Sequence, residues 1–170
     1  MASQWYSLVS QKLFLAQTLL GQLEPGSRFG TGESMTEAEK ALNREAATQG
    51  AVELMLRGRQ LLLVLVANLY QHRHAQPESL SQLQTLTGPE NQDVQRLAEL
   101  AAQPGSWWSH LDQLEYSQGH PPVTRKTVSD ENIIAVAAEP GPDRSPSGLM
   151  KTLEALRHFA EALNEQHSEW

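Results

Sequence analysis

The chain predicts an all-α protein: an antiparallel helical bundle with two or three long helices, shorter helices crossing them, and one long irregular, proline-rich loop. Three observations carry that prediction. Apolar residues recur at helical spacing in the first and last segments, a long helical pattern lies between them, and capping residues stand ahead of several apolar runs. With 170 residues, 39% of them hydrophobic and 19% charged, one domain over 1–170 can bury a core of its own.

The first helix follows from Val9, Leu13, Ala16, Leu20 and Leu23, spaced by four, three, four and three residues. That spacing keeps one stripe on one side of a helix. Trp5, Leu8 and Leu19 flank the stripe, Gly21 weakens the last turn, and Pro25-Gly26 ends it. The glycine-rich stretch 25–34 reads as a loop. Ser34-Met35-Thr36-Glu37 then has the form of a capping box. A helical pattern runs from there to about residue 74, with Ala38, Leu42, Val52, Leu56, Leu63, Val66 and Tyr70 as its expected apolar face. Gly50 and Gly58 interrupt it at about 1 kcal/mol each against alanine, so the expectation is one helix with a kink, the alternative being two helices that break near Gln49-Gly50.

Residues 61–70 (LLLVLVANLY) fall well short of the roughly 20 apolar residues that cross a bilayer. With Glu53, Arg57 and Arg59 just upstream, they read as buried core and not as a membrane span. Leu80, Leu83 and Leu86 mark a short helix over 78–86. Thr87-Gly88-Pro89-Glu90 looks like a second capping box ahead of Val94, Leu97, Ala98 and Ala101. Pro104-Gly105 stops that helix, and Ser106 caps another carrying Trp107, Trp108, Leu111 and Leu114.

Prolines 121, 122, 140, 142 and 146 make 119–148 irregular. Within it Ile133–Ala138 is apolar and β-branched, but no second strand-like run exists to pair with it. The expectation is an extended segment or a short turn of helix whose Ile and Val plug the bundle. Ser145-Pro146 opens the last helix, where Leu149, Leu153, Leu156, Ala160 and Leu163 repeat the spacing of the first. The two leucine stripes predict that the first and last helices share one core.

Composition excludes several functions. With no cysteine, disulfides, thiol nucleophiles, Cys-type zinc and iron–sulfur clusters are ruled out. The N-terminus runs straight into an amphipathic pattern without the form of a secretion signal, so the expected location is the cytoplasm. The net charge of -7 disfavours nucleic acid, for which Arg57, Arg59, Arg125 and Lys126 are the densest cations. There is no phosphate loop, dinucleotide fingerprint, nucleophile elbow or zincin motif, and no cofactor is expected.

Three features stand as candidates. Glu154, His158, Glu161 and Glu165 fall at i, i+4, i+7 and i+11 on one helix face. Such a set could bind a divalent metal or exchange protons, though its simplest reading is a solvated flank. His72-Arg73-His74 suits the negative end of the long helix. Trp107 and Trp108 lie about 100° apart on their helix, so one should be buried and the other partly exposed, open to a protein partner, though the simpler reading is an anchor for the start of the helix.

Short motifs spread over the chain carry a resemblance: Trp5-Tyr6, Ser10-Gln11-Lys12-Leu13-Phe14-Leu15-Ala16, Pro104-Gly105-Ser106-Trp107, Ile133-Ile134-Ala135-Val136 and Glu169-Trp170. Together they are similar to an uncharacterised gammaproteobacterial family of small helical proteins of unknown function. The resemblance implies a bacterial cytoplasmic setting and supplies no activity, cofactor or site residue. The reading that follows is a non-enzymatic helical protein that binds a protein partner or self-associates. The alternative is a helical-bundle enzyme, or a small-ligand or metal binder, with its site near the C-terminal helix.

Overall fold

The computed structural model describes residues 3–27, 34–122, 124–129, 132–137 and 141–168. The fold is all-α in its body. The described helices are α1 (Gln4–Gly21), α2 (Glu37–Leu69), α3 (Leu80–Thr87), α4 (Gln92–Ala102), α5 (Trp107–Gly119) and α6 (Pro146–Ser168). As the two stripes predict, Val9, Leu13, Ala16 and Leu20 of α1 join Leu149, Leu153, Leu156, Ala160 and Leu163 of α6 in one core cluster.

The α1–α2 pair explains the two helical glycines. A Cβ on Gly58 would lie 3.1 Å from Leu13 Cδ2, and one on Gly50 would lie 3.0 Å from Leu19 Cδ1. Each glycine is a notch that seats a leucine of α1, so α2 gives up helix propensity for close approach. Because residue 13 meets 58 and residue 19 meets 50, the two helices run in opposite directions. Leu61 through Ala67 are all buried, consistent with a core segment. Among the described residues no helix is long and apolar enough to cross a membrane.

Several expected boundaries move. The N-cap of α2 is Thr36 and not Ser34. Its hydroxyl accepts from the Glu39 N–H at 3.2 Å, and Glu39 Oε2 accepts from the Thr36 N–H at 2.7 Å. The expected apolar face of α2 also starts too early. Ala38 is exposed, Leu42 is 69% exposed, and no residue of 37–46 is buried. The cause is length: with Leu19 opposite Gly50, α1 has no turns left to cover the start of α2. Its first ten residues overhang by about 15 Å.

At its other end α2 stops at Leu69, short of the expected residue 74. Gln71 takes φ +69° while the His72 N–H donates to the Ala67 carbonyl at 2.9 Å and the Gln71 N–H to Asn68 at 3.1 Å. These two bonds make a Schellman closure, normally built on glycine, and they place His72-Arg73-His74 beyond the helix. Thr87 does not cap α4 either. Its hydroxyl donates to Leu83 O at 3.0 Å inside α3, and the N-cap is Asn91, whose side chain accepts from the Asp93 and Val94 N–H groups. Ser106 caps α5 as expected and also donates to Leu100 O, which joins α4 to α5.

Within 119–148 the structure departs from an irregular loop. Strand β1 (Thr124–Ser129) pairs antiparallel with β2 (Asn132–Ala137), from Thr124 opposite Ala137 to Ser129 opposite Asn132. The partner strand is TRKTVS, a polar run that hydrophobic alternation does not reveal. Ile133–Val136 therefore lies in a strand that pairs with β1, and the expectation that these side chains plug the bundle falls outside the described residues. Ser145 caps α6, its hydroxyl accepting from the Gly148 N–H at 3.1 Å.

Candidate functional site

Glu154, His158 and Glu161 do not converge. His158 Nδ1 lies 3.4 Å from Glu161 Oε2, with the histidine side chain 78% exposed. Glu154 instead lines a hollow of about 650 Å³ between the end of α1 and the start of α6, beside Leu23, Met150 and Lys151. Among the described residues no three His, Asp or Glu side chains are grouped to hold a metal.

Trp107 and Trp108 overturn the expectation that one indole faces solvent: they are 7% and 6% exposed. The start of α5 is covered from two sides. Trp107 packs on Phe159 of α6 with ring centroids 5.8 Å apart, while the Arg59 guanidinium of α2 lies 4.9 Å over Trp108. Arg59 also bonds Asp112 Oδ1 at 2.5 Å and Glu115 Oε2 at 2.6 Å. This pins α5 to α2 and commits one of the four cations considered for nucleic acid.

Two hollows flank Trp107 along α6. One, of about 420 Å³, is lined by Arg96, Glu99, His158 and Phe159; the other, of about 330 Å³, by His110, Gln113, Asp143, Lys151 and Thr152. In the second, His110 Nδ1 lies 2.6 Å from Thr152 Oγ1 and Nε2 lies 2.9 Å from the Asp143 carbonyl oxygen. A carbonyl only accepts, so Nε2 carries the proton and, in the neutral ring, Nδ1 accepts from the threonine hydroxyl. The Ser145 hydroxyl and backbone N–H hold the Asp143 carboxyl below the usual carboxylate range. The pairing has the form of a base with its orienting group. Thr152 is only 6% exposed, however, which leaves little of its hydroxyl for a substrate.

A further polar cluster ties three helix ends together. Asp93, in the first turn of α4, is fully buried. Its Oδ2 accepts from Tyr70 Oη at 2.7 Å and from His167 Nε2 at 2.9 Å, while Arg96 Nη1 stands 3.7 Å from Oδ1. Burial, then the hydrogen bond and charge of Asp93, push the Tyr70 phenol up to about 12. Oδ1 is buried without a hydrogen bond. The cluster locks the end of α2 and the last turn of α6 onto α4. Asp93, Tyr70 and His167 lie too far apart in sequence for any spacing rule to join them.

The apolar surface that remains is concentrated elsewhere. Among the described residues the exposed large hydrophobics are Leu8, Phe14, Leu15, Leu42 and Tyr116, at 40%, 66%, 42%, 69% and 62% exposure. Three of these five lie within eight residues of α1, away from its core stripe. Only Lys12 is charged in α1, and the helix has no carboxylate, in a chain of net charge -7.

These features define an all-α protein with buried polar locks and one apolar helix face open to solvent. The chain belongs to the family of unknown function DUF6586, whose model matches residues 1–170. No curated protein and no solved structure matches it.

Proposed function

We propose that the protein is a non-enzymatic protein-interaction module of the cytoplasm whose contact surface is the outward face of α1. The observation that carries this reading is the clustering of Leu8, Phe14 and Leu15 on a helix face that the core does not use. Apolar side chains scattered singly need no explanation, whereas three on the uncovered side of one helix support a contact surface there. The buried tryptophans serve the fold, and the contact role expected of them passes to α1. Nucleic acid does not fit this face, since α1 offers one cation and Arg59 is committed to Asp112 and Glu115.

The test compares wild type with a Leu8→Gln/Phe14→Ser/Leu15→Gln variant of unchanged melting temperature, as baits in the cell extract. Proteins retained by wild type and lost from the variant support the reading. An identical retained set overturns it.

One observation favours a second reading, small-ligand binding along α6: the hollows on either side of Trp107 bring His110, Lys151 and Arg96 to an aromatic floor. A metabolite panel that raised the melting temperature of wild type but not of His110→Phe would support it. No shift with any compound would count against it.

A further inference from the structure

We infer that the hollow of about 650 Å³ between the end of α1 and the start of α6 binds an amphipathic organic cation, an apolar chain carrying an ammonium head. This site lies apart from the α1 contact face and does not depend on the interaction reading above.

The hollow is apolar at depth and charged at its mouth. Leu20 stands in the last turn of α1 and Leu23 just beyond it, while Met150 comes from the first turns of α6. Leu20 is fully buried, and Leu23 and Met150 are partly buried. The charged residues that line it, Glu24, Lys151 and Glu154, are all exposed. Such a gradient fits a ligand with an apolar body and one charged end. The volume falls within the range of about 300–1,000 Å³ that suits small molecules.

Charge selects the head group. The mouth carries two carboxylates against one ammonium, in a chain of net charge -7. Among the described residues, none of these three side chains has an ion-pair or hydrogen-bond partner, so both carboxylates are open to a cation. Two features that would favour an anion are already answered. The positive end of α6 is met by the Asp143 carboxylate, which accepts from the Ser145 N–H at 2.9 Å, and by the Ser145 hydroxyl, which accepts from the Gly148 N–H. Lys151 also borders the neighbouring hollow, where Asp143 supplies the opposite charge. Arg157, one turn beyond Glu154, donates to Gln17 and does not line the site. An ammonium, with three donors, can serve both glutamates, whereas a carboxylate head would meet two groups of its own sign. Glu154, which converges with no metal-binding partner, has its role here.

The test titrates the full chain calorimetrically at neutral pH with decylammonium, decanol and decanoate, which share one chain length and differ only in the head. Decylammonium should bind at one per chain, about tenfold more tightly than decanol, and decanoate more weakly than either. Glu24→Gln and Glu154→Gln should each weaken decylammonium about threefold, and together bring it to about the affinity of decanol, which they leave unchanged. Ser147→Trp, at an exposed position lining the hollow, should abolish binding of every probe without lowering the melting temperature of the free protein. Decanoate binding as tightly as decylammonium overturns the choice of a cation. So does a double glutamine variant that binds decylammonium like wild type. Binding that survives Ser147→Trp overturns the hollow as its location, and no binding of any probe overturns the proposal outright.

Discussion

Replacing Gly58 with alanine should destabilise the protein, although the same change in an exposed helix normally stabilises it. Alanine gains about 1 kcal/mol over glycine in a helix interior. Against that, the new Cβ would stand 3.1 Å from Leu13 Cδ2, closer than comfortable contact, and Leu13 is 1% exposed. A side chain so enclosed cannot turn aside, and overpacking a tight core costs about 1–3 kcal/mol. The net expectation is a loss of roughly 1 kcal/mol, or about half a molar in the urea midpoint at an m-value near 2 kcal/mol/M. Two other glycines calibrate the result. At Gly50 the new Cβ meets Leu19 at 3.0 Å, but Leu19 is only partly buried and can give, so Gly50→Ala should be near neutral. At Gly21 nothing lies within 4 Å, so Gly21→Ala should gain up to about 1 kcal/mol, less where the helix end frays. Urea melts at constant m-value give the order. If Gly58→Ala is stabilised as much as Gly21→Ala, the notch that seats Leu13 plays no part in packing and the account of the α1–α2 contact fails.

Three further outcomes follow from the polar locks and the end of α2. Gln71→Gly should raise stability by about 1 kcal/mol, because glycine meets no Cβ penalty at φ +69°; an unchanged urea midpoint would contradict this. Asp93→Asn should cost about 2–3 kcal/mol by removing the charge that strengthens both bonds to Oδ2 and by leaving a buried amide N–H₂ without an acceptor beside Arg96, whereas Glu161→Gln on the exposed flank should change stability by less than about 0.5 kcal/mol. Tyr70 sets an alkaline limit. Its phenol is raised to about 12, so the neutral form is favoured by folding. That contribution is whole below the ordinary value near 10 and is lost as pH rises from 10 through about 12. Urea midpoints across that window should fall more steeply for wild type than for Tyr70→Phe.

The helices were legible wherever their apolar stripes were long. Val9–Leu20 and Leu149–Leu163 needed no tertiary knowledge, since a stripe of that period can be buried only on one side of a helix. The errors in α2 share a different cause. Ala38 and Leu42 keep the helical period and lie in a genuine helix, but among the described residues nothing buries them, and which turns are covered depends on where α1 ends. The hairpin was missed because β1 is polar; the available signal was the Ser129-Asp130-Glu131-Asn132 turn composition between two β-branched runs.

The candidate site was less legible, for a reason the two tryptophans make plain. The 100° step between Trp107 and Trp108 is real, yet it separates buried from exposed only when a helix packs on one side. Here α6 covers one indole and the Arg59 guanidinium the other, so both directions lead inward. The same logic works in reverse on α1. Leu8 and Leu15 look like extensions of a core stripe in sequence, but the core takes only Val9, Leu13, Ala16 and Leu20, and the surplus is left outside with Phe14. A helix with more apolar surface than its own fold can cover is where a second surface belongs. On this chain that surplus lies on a helix that has no carboxylate among its residues.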